Sequence, residues 1–290
     1  MKHTPQHITQ DPSLDRPQTP CQSEAKNTDY RAGKKHVHFA PKKGETMDKC
    51  ATIHKDYVCC NVRVLKSVSG CPFECTYCFL QNYLTNTTTS VIQDSTAMIQ
   101  EVRDKTQRYP WRFYRIGTWE LGDSLALETL TQQAQTLIAE FAQLPNALLE
   151  LKTKSDQVDG ILDCDHQGRT VVSWSMNTPH VIRKQELKTA SLEQRLTAMK
   201  KVVDKGYKIG LHFDPMILHE GWQAGYVDLI QQTAAIVPSH QIAWISIGSL
   251  RFNPEMKAKM ATLYPALHLG ADEMILGNDG KVRYPKPLRI

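Results

Sequence analysis

Cys71, Cys75 and Cys78 fall within eight residues and are the densest group of metal-binding side chains in the sequence. Their C-x3-C-x2-C spacing puts three soft thiolates on one tight loop. Such a loop can hold three irons of a cubane cluster and leave the fourth without a protein ligand, open to a small molecule. The competing chemistry is a zinc site completed by Cys59, Cys60 or a histidine. Structural zinc usually draws on two separated ligand pairs, and no second pair is evident. Tyr77 and Phe79 flank the last cysteine.

A ligand loop needs a scaffold, and the surrounding pattern supplies one. Residues 57–65 alternate and are rich in β-branched side chains, so they read as a strand running into the cysteine loop. Further strands are expected at 113–118, 147–152, 170–176, 207–213 and 241–247. Helical spacing appears near 94–107, over 124–143 with Ser124 as N-cap, from 191 to Lys205-Gly206, over 221–236 and over 254–264, with a short helix near 156–162. Six βα units in a row, without a Gly-rich dinucleotide fingerprint, predict an α/β fold, a partial (β/α)6 barrel. A doubly wound open sheet is the alternative. Either would carry its site at the carboxyl ends of the strands, where the cysteine loop falls.

The chain has 290 residues, 41% hydrophobic and 22% charged, as in an ordinary globular protein. The net charge is +5, of which residues 1–49 supply +3. Residues 1–50 are polar, Pro-rich and aperiodic and read as a disordered basic tail, in which His36 and His38 sit among lysines. A basic tail suits phosphates but is also simply well solvated. Residues 51–290 form the expected core, which ends at Lys286-Pro-Leu-Arg-Ile290 without a closing C-terminal element. No apolar run approaches the roughly 20 residues of a membrane span, and the N-terminus has no apolar signal region, so the expected location is cytoplasmic. Eight cysteines, three of them clustered, suit metal or redox chemistry in a reducing compartment better than a disulfide framework.

The cysteine motif, with an aromatic residue beside the last cysteine, resembles that of the radical S-adenosylmethionine (radical SAM) superfamily. The longer run from Cys71 to Leu84 is similar to the spore photoproduct lyase family. So are Glu120–Ser124, Lys152-Thr-Lys154 with Val158-Asp159, Ser173–Asn177 and Asp214–Trp222. Together they cover about residues 55–290. The resemblance implies a radical SAM barrel with a [4Fe–4S] cluster on Cys71, Cys75 and Cys78. It implies reductive cleavage of S-adenosylmethionine to a 5′-deoxyadenosyl radical, and hydrogen abstraction from a substrate such as a thymine photoproduct in DNA. It also implies a low-potential electron donor of flavodoxin or ferredoxin type. An RNA- or peptide-modifying radical SAM enzyme and a non-catalytic metal- or nucleic-acid-binding protein are the alternatives.

By position, the resemblance makes Lys154 the partner of the S-adenosylmethionine carboxylate, with Lys152 competing. It puts Ser175, Asn177, Glu120 and Asp123 around the cofactor; His212, which ends the fifth strand with Asp214, is a further cofactor-site candidate, and His219 and Trp222 on the following loop are candidates to line the substrate cleft. Two features depart from the family pattern. The stretch Ile116–Asp123 holds no cysteine where the family keeps its hydrogen donor, and Phe79 replaces a tyrosine. Tyr77 is kept. Cys59 or Cys60, on the first strand, is the candidate replacement donor; strand alternation points only one of them inward.

Overall fold

The computed structural model describes residues 9–10, 30–50, 61–266, 269 and 273–289. In chain order the strands are β1 Thr9–Gln10, β2 His36–Ala40, β3 Met47–Lys49, β4 Arg63–Leu65, β5 Val68–Ser69, β6 Glu74–Cys75, β7 Thr89–Ile92, β8 Tyr114–Gly117, β9 Ala147–Thr153 and β10 Thr170–Ser175. They continue with β11 Glu186–Leu187, β12 Lys208–Met216, β13 Ile242–Ser249, β14 Arg251–Phe252, β15 Ile275–Leu276 and β16 Val282–Arg283. The α-helices are α1 Tyr30–Gly33, α2 Leu80–Tyr83, α3 Thr96–Arg108, α4 Glu128–Thr131, α5 Gln133–Ala142, α6 Pro179–Gln185, α7 Leu192–Asp204, α8 Trp222–Ile236 and α9 Glu255–Leu263.

The main sheet runs β13-β12-β10-β9-β8-β4-β3. Its six strands from β4 to β13 are mutually parallel, and β3 adds antiparallel at one edge. Strand order follows chain order, with helices in most of the crossovers, so the sheet is singly wound, as the βα rhythm predicts. It also curls. On a flat sheet β8 and β13 would stand about 19 Å apart, at roughly 4.8 Å per strand. Yet the Arg115 guanidinium of β8 lies 3.7 Å from the centre of the Trp244 ring of β13. That contact requires a partial barrel and excludes the doubly wound alternative.

Strand alternation sorts the side chains. Leu149, Leu151, Val172, Trp174, Ile209 and Leu211 point outward and pack in one core with helix residues including Leu137, Ile138, Phe141, Met199 and Val202. Burying each such side chain contributes about 1.5–3 kcal/mol. The alternate positions, Glu150, Lys152, Ser173, Ser175 and His212, line the interior.

Several expectations shift in detail. Of the strand expected at 57–65, residues 63–65 form β4, and 57–60 lie outside the described residues. The helix expected over 124–143 is two helices, broken at Gln132, whose φ of 50° is left-handed. Ser124 is not its N-cap. Its hydroxyl accepts the Lys152 amide at 3.0 Å and the Thr118 hydroxyl at 2.7 Å, tying the loop after β8 to β9. The buried Glu128 carboxylate instead accepts the Ala134 and Gln135 amides and caps α5. The helix from Ser191 starts as expected, with a full capping box to Gln194.

Described structure also begins well before residue 50. Strand β2 pairs in parallel with β7, and Tyr30, Lys34, Val37 and Met47 are buried. The composition of this segment is polar, but its few large apolar residues find the barrel wall. None of the helices described is long and apolar enough to cross a membrane.

Candidate active site at the carboxyl end of the barrel

The cysteine loop leaves β4 through β5. Gly70 turns with φ of 104°, and a Cβ there would meet the Thr89 Cα at 2.8 Å, so only glycine fits. Cys71 follows. The short β6, ending in Cys75, pairs antiparallel with β11, so that Cys75 lies opposite Glu186. A turn, Cys78 N–H to the Cys75 carbonyl at 3.1 Å, leads into α2. Thr76 fixes the loop from one side through the backbone and side chain of Gln185. From the other side the buried Lys34 ammonium donates to the Cys71 and Phe73 carbonyls at 2.8 and 2.6 Å.

All three loop cysteines are free thiols. Burial pushes Cys71 up to about 12, against the opposing pull of Lys34. It raises Cys75 well above the ordinary range, against Lys154. Ligation by Cys71 and Cys75 must therefore displace their thiol protons. Among the described residues no three His, Cys, Asp or Glu side chains converge on one ion position.

Beside the loop stands a layer of buried polar side chains. Lys154, just past the end of β9, lies over the Tyr77 ring at 5.9 Å. Burial opposes its charge, but Glu186, Cys75 and Asp123 outweigh that and raise its pKa. Tyr77 donates its hydroxyl to Glu186 Oε1, to which Asn177 Nδ2 also donates, at 2.9 Å. Glu186 Oε2 accepts Arg195 Nη2 at 2.6 Å, and both side chains are fully buried. Despite burial, Arg195 and Lys154 hold the Glu186 carboxyl down to about 2. Arg195 reaches further, to the carbonyls of Ala190 and Ser175 and the Thr189 hydroxyl. Asn177 is held in turn by the Tyr226 hydroxyl at 2.6 Å.

Asp123 works on its own chain. Its carboxylate accepts the Leu125 and Ala126 amides, the Thr153 hydroxyl and, at 2.7 Å, the Lys154 amide. Burial is the leading influence and raises its pKa. It thus pins the turn after β8 to the base of Lys154. Glu120 lies three residues earlier on the same turn, half-buried.

A second layer fills the barrel below. Glu150, wholly buried, accepts from Ser173 at 3.0 Å and His212 Nε2 at 2.9 Å on one oxygen. Its other oxygen accepts from Arg115 and the Trp119 indole. Burial works the other way, but His212 and Arg115 hold Glu150 near 2. Burial lowers His212, so a neutral imidazole donates to the ionised carboxylate. Lys152 sits in this lower layer, over the Trp119 ring at 4.9 Å. Burial, followed by the Lys154 charge, pushes it down to about 8.

The structure thus gathers Tyr77, Lys154, Asn177 and Asp123 beside the cysteines. Ser175 is buried at the end of β10 and paired in register with His212. His212 serves the lower layer, and Lys152 is separated from Lys154 by one turn of the strand pleat. His219 bonds Thr178 and stacks on His180. Asp214 pairs with Arg251. Cys59 and Cys60 lie outside the described residues. Sequence reasoning missed Glu186, Arg195, Lys34 and Glu150. Of these only Glu150 carried a signal, since Glu150, Lys152 and Lys154 alternate charged positions along one face of an apolar strand.

A singly wound six-stranded parallel partial barrel, with a C-x3-C-x2-C loop over its carboxyl end, is the architecture of a radical SAM protein. The sequence model for "Spore photoproduct lyase" matches residues 22–284. The chain belongs to the spore photoproduct lyase family. It is 30% identical over 212 residues to spore photoproduct lyase of Bacillus subtilis, covering 71% of this chain and 61% of that protein. It is 29% identical over 211 residues to that of a Geobacillus species, again covering 61% of the relative. The chain therefore matches about three fifths of the length of these relatives. Among solved structures, a spore photoproduct lyase mutant with bound AdoMet and dinucleoside spore photoproduct superposes with a TM-score of 0.79 at 25% identity, over 89% of this chain and 77% of that one. Spore photoproduct lyase complexed with dinucleoside spore photoproduct gives the same values.

Proposed function

We propose that this chain is a radical SAM enzyme of DNA photolesion chemistry, with a [4Fe–4S] cluster on Cys71, Cys75 and Cys78 and S-adenosylmethionine beside Lys154. The observation that carries this reading is the loop itself. It presents three free thiols at the carboxyl end of the barrel, with a charged lysine held next to them. When bound, the cluster supplies a low-potential electron and one open iron for the amino and carboxylate groups of the cofactor.

The chain's own residues do the positioning. Lys154 offers a point charge for the cofactor carboxylate. Asp123 fixes its backbone, and Glu186 keeps it protonated in a buried setting. Ser175, Asn177 and Glu120 complete the expected cofactor wall, and His212 supports it from below through Glu150. Family membership favours DNA as the macromolecular partner and a flavodoxin- or ferredoxin-type protein as electron source.

The departures concern hydrogen return to the product. Tyr77 spends its hydroxyl on Glu186, Phe79 has no hydroxyl, and the Ile116–Asp123 stretch has no thiol. The expected behaviour is therefore cofactor cleavage with poor repair of the thymine photoproduct. The test supplies the dinucleotide photoproduct, or UV-irradiated DNA, to the anaerobically reconstituted protein. It measures 5′-deoxyadenosine and thymine release side by side. Release of thymine in step with 5′-deoxyadenosine would overturn the hydrogen-return argument. Loss of that release in Cys59→Ala or Cys60→Ala would move the donor role to that cysteine. Zinc in place of iron would overturn the radical SAM reading itself.

A further inference from the structure

Among the described residues, two buried tyrosine hydroxyls near the cysteine loop find no hydrogen-bond partner, Tyr30 Oη and Tyr264 Oη. Tyr30 is 9% exposed and Tyr264 3%. A buried hydroxyl normally has a partner, and each exception calls for a cause. These two come from opposite ends of the chain. Tyr30 opens α1 and Tyr264 follows α9.

Both rings are fastened to the loop's surroundings. The Lys34 ammonium that holds the Cys71 and Phe73 carbonyls sits 4.5 Å from the centre of the Tyr30 ring. Arg31, paired with Glu74 of the loop, lies over the Tyr264 ring at 5.2 Å. Burial, then Cys78, Tyr264, Cys71 and Cys75, raises the pKa of Tyr30. Burial, Glu74, Cys75 and Cys78 raise that of Tyr264. Each phenol presents an O–H donor at the edge of the cysteine loop.

We propose that Tyr30 and Tyr264 donate O–H···S hydrogen bonds to the sulfurs of the cluster held by Cys71, Cys75 and Cys78, and so set its reduction potential. This rests on the cluster reading above. It accounts for both orphan hydroxyls at once, because thiolate and sulfide sulfur are the acceptors that loading brings to this pocket. Hydrogen bonds to cluster sulfur stabilise the more electron-rich reduced state and raise the potential. Neither tyrosine touches the reacting bond in this assignment; both act through the cluster.

The experiment uses the full chain, reconstituted anaerobically, as wild type, Tyr30→Phe, Tyr264→Phe and the double variant. Iron and sulfide per chain are measured first. An EPR-monitored redox titration then gives the midpoint potential, and ENDOR of the reduced cluster in D2O gives exchangeable deuteron couplings per reduced cluster. Each single variant should shift the potential to more negative values and lose one deuteron coupling. The double variant should shift further and lose both. Because these readouts are normalised per cluster, partial loading does not blur them. A double variant with the wild-type potential and couplings overturns the proposal. Should the variants hold no cluster, the wild type decides alone, since absence of strongly coupled exchangeable deuterons there also overturns it. A wild type that takes zinc, or far fewer than about four irons, instead overturns the cluster reading.

Discussion

Replacing Arg195 by methionine is the sharpest test of the buried layer beside the cysteines. The substitution keeps an unbranched chain of similar reach but removes the guanidinium paired with Glu186, at 2.6 Å and with no solvent on either side. Breaking a fully buried pair by removing one partner costs about 3–5 kcal/mol, because the other charge is left uncompensated. The titration of Glu186 gives a second route to the magnitude. Its pKa falls from 4.5 to about 2 on folding, which at 1.36 kcal/mol per unit corresponds to about 3 kcal/mol. Lys154 also holds this carboxylate and offsets part of the loss. Three acceptors, the carbonyls of Ala190 and Ser175 and the Thr189 hydroxyl, lose their donor and add to it. A net loss of about 3–4 kcal/mol at pH 7 is expected. The sign with pH follows from the lowered pKa. The contribution is fully present above 4.5 and is lost as pH falls toward 2, so the gap between wild type and variant should narrow over that window. Urea unfolding followed by tryptophan fluorescence at pH 7 and pH 3 measures both effects. A loss under about 1 kcal/mol at pH 7, or a gap that stays constant into acid, would refute the assignment.

Cys71→Ala, Cys75→Ala and Cys78→Ala should each abolish iron retention and cofactor cleavage, since a cubane with two protein thiolates is poorly held; full iron content in any one variant would remove that cysteine from the ligand set. Lys154→Met should weaken S-adenosylmethionine binding by roughly 10-fold or more, the worth of one charge-assisted hydrogen bond, with Lys152→Met much milder, as equilibrium binding to the loaded protein will tell. Lys34→Met leaves the Cys71 and Phe73 carbonyls unpaired. It should cost about 1–3 kcal/mol and speed iron loss to a chelator, whereas unchanged chelation kinetics would mean that the loop does not depend on that anchor.

What the sequence disclosed here was local or periodic. The cysteine spacing is a property of eight consecutive residues. Strand alternation and the capping box at Ser191 are visible within one or two turns of chain. The split of the helix expected over 124–143 was hidden because Ala and Leu keep helical spacing straight through Gln132. The break is imposed by the Glu128 carboxylate capping α5 and by Ser124 bonding to β9. Glu186 and Arg195 were hidden for a different reason. Between Lys184 and Lys188, Glu186 reads as part of a solvated charged face, and only the pairing of β11 with β6 carries it inside. Lys34 and Tyr30 were masked by the polar composition around them. Their burial depends on a surface made by residues 71–78 and 264, which no window of the local sequence contains.

The contact of Arg31 with the ring of Tyr264 bears on the order in which the molecule can be made. These residues are about 230 positions apart, and contacts of such separation close late. As the chain emerges during synthesis, the three cysteines are exposed long before α9 exists to wall them in. A cluster delivered at that stage would sit on a bare loop. The enclosed pocket comes into being only after the segment around Tyr264 has left the ribosome and docked. On the proposed cluster reading, a synthesis stopped short of α9 would yield the three cysteines without the wall that Tyr264 adds.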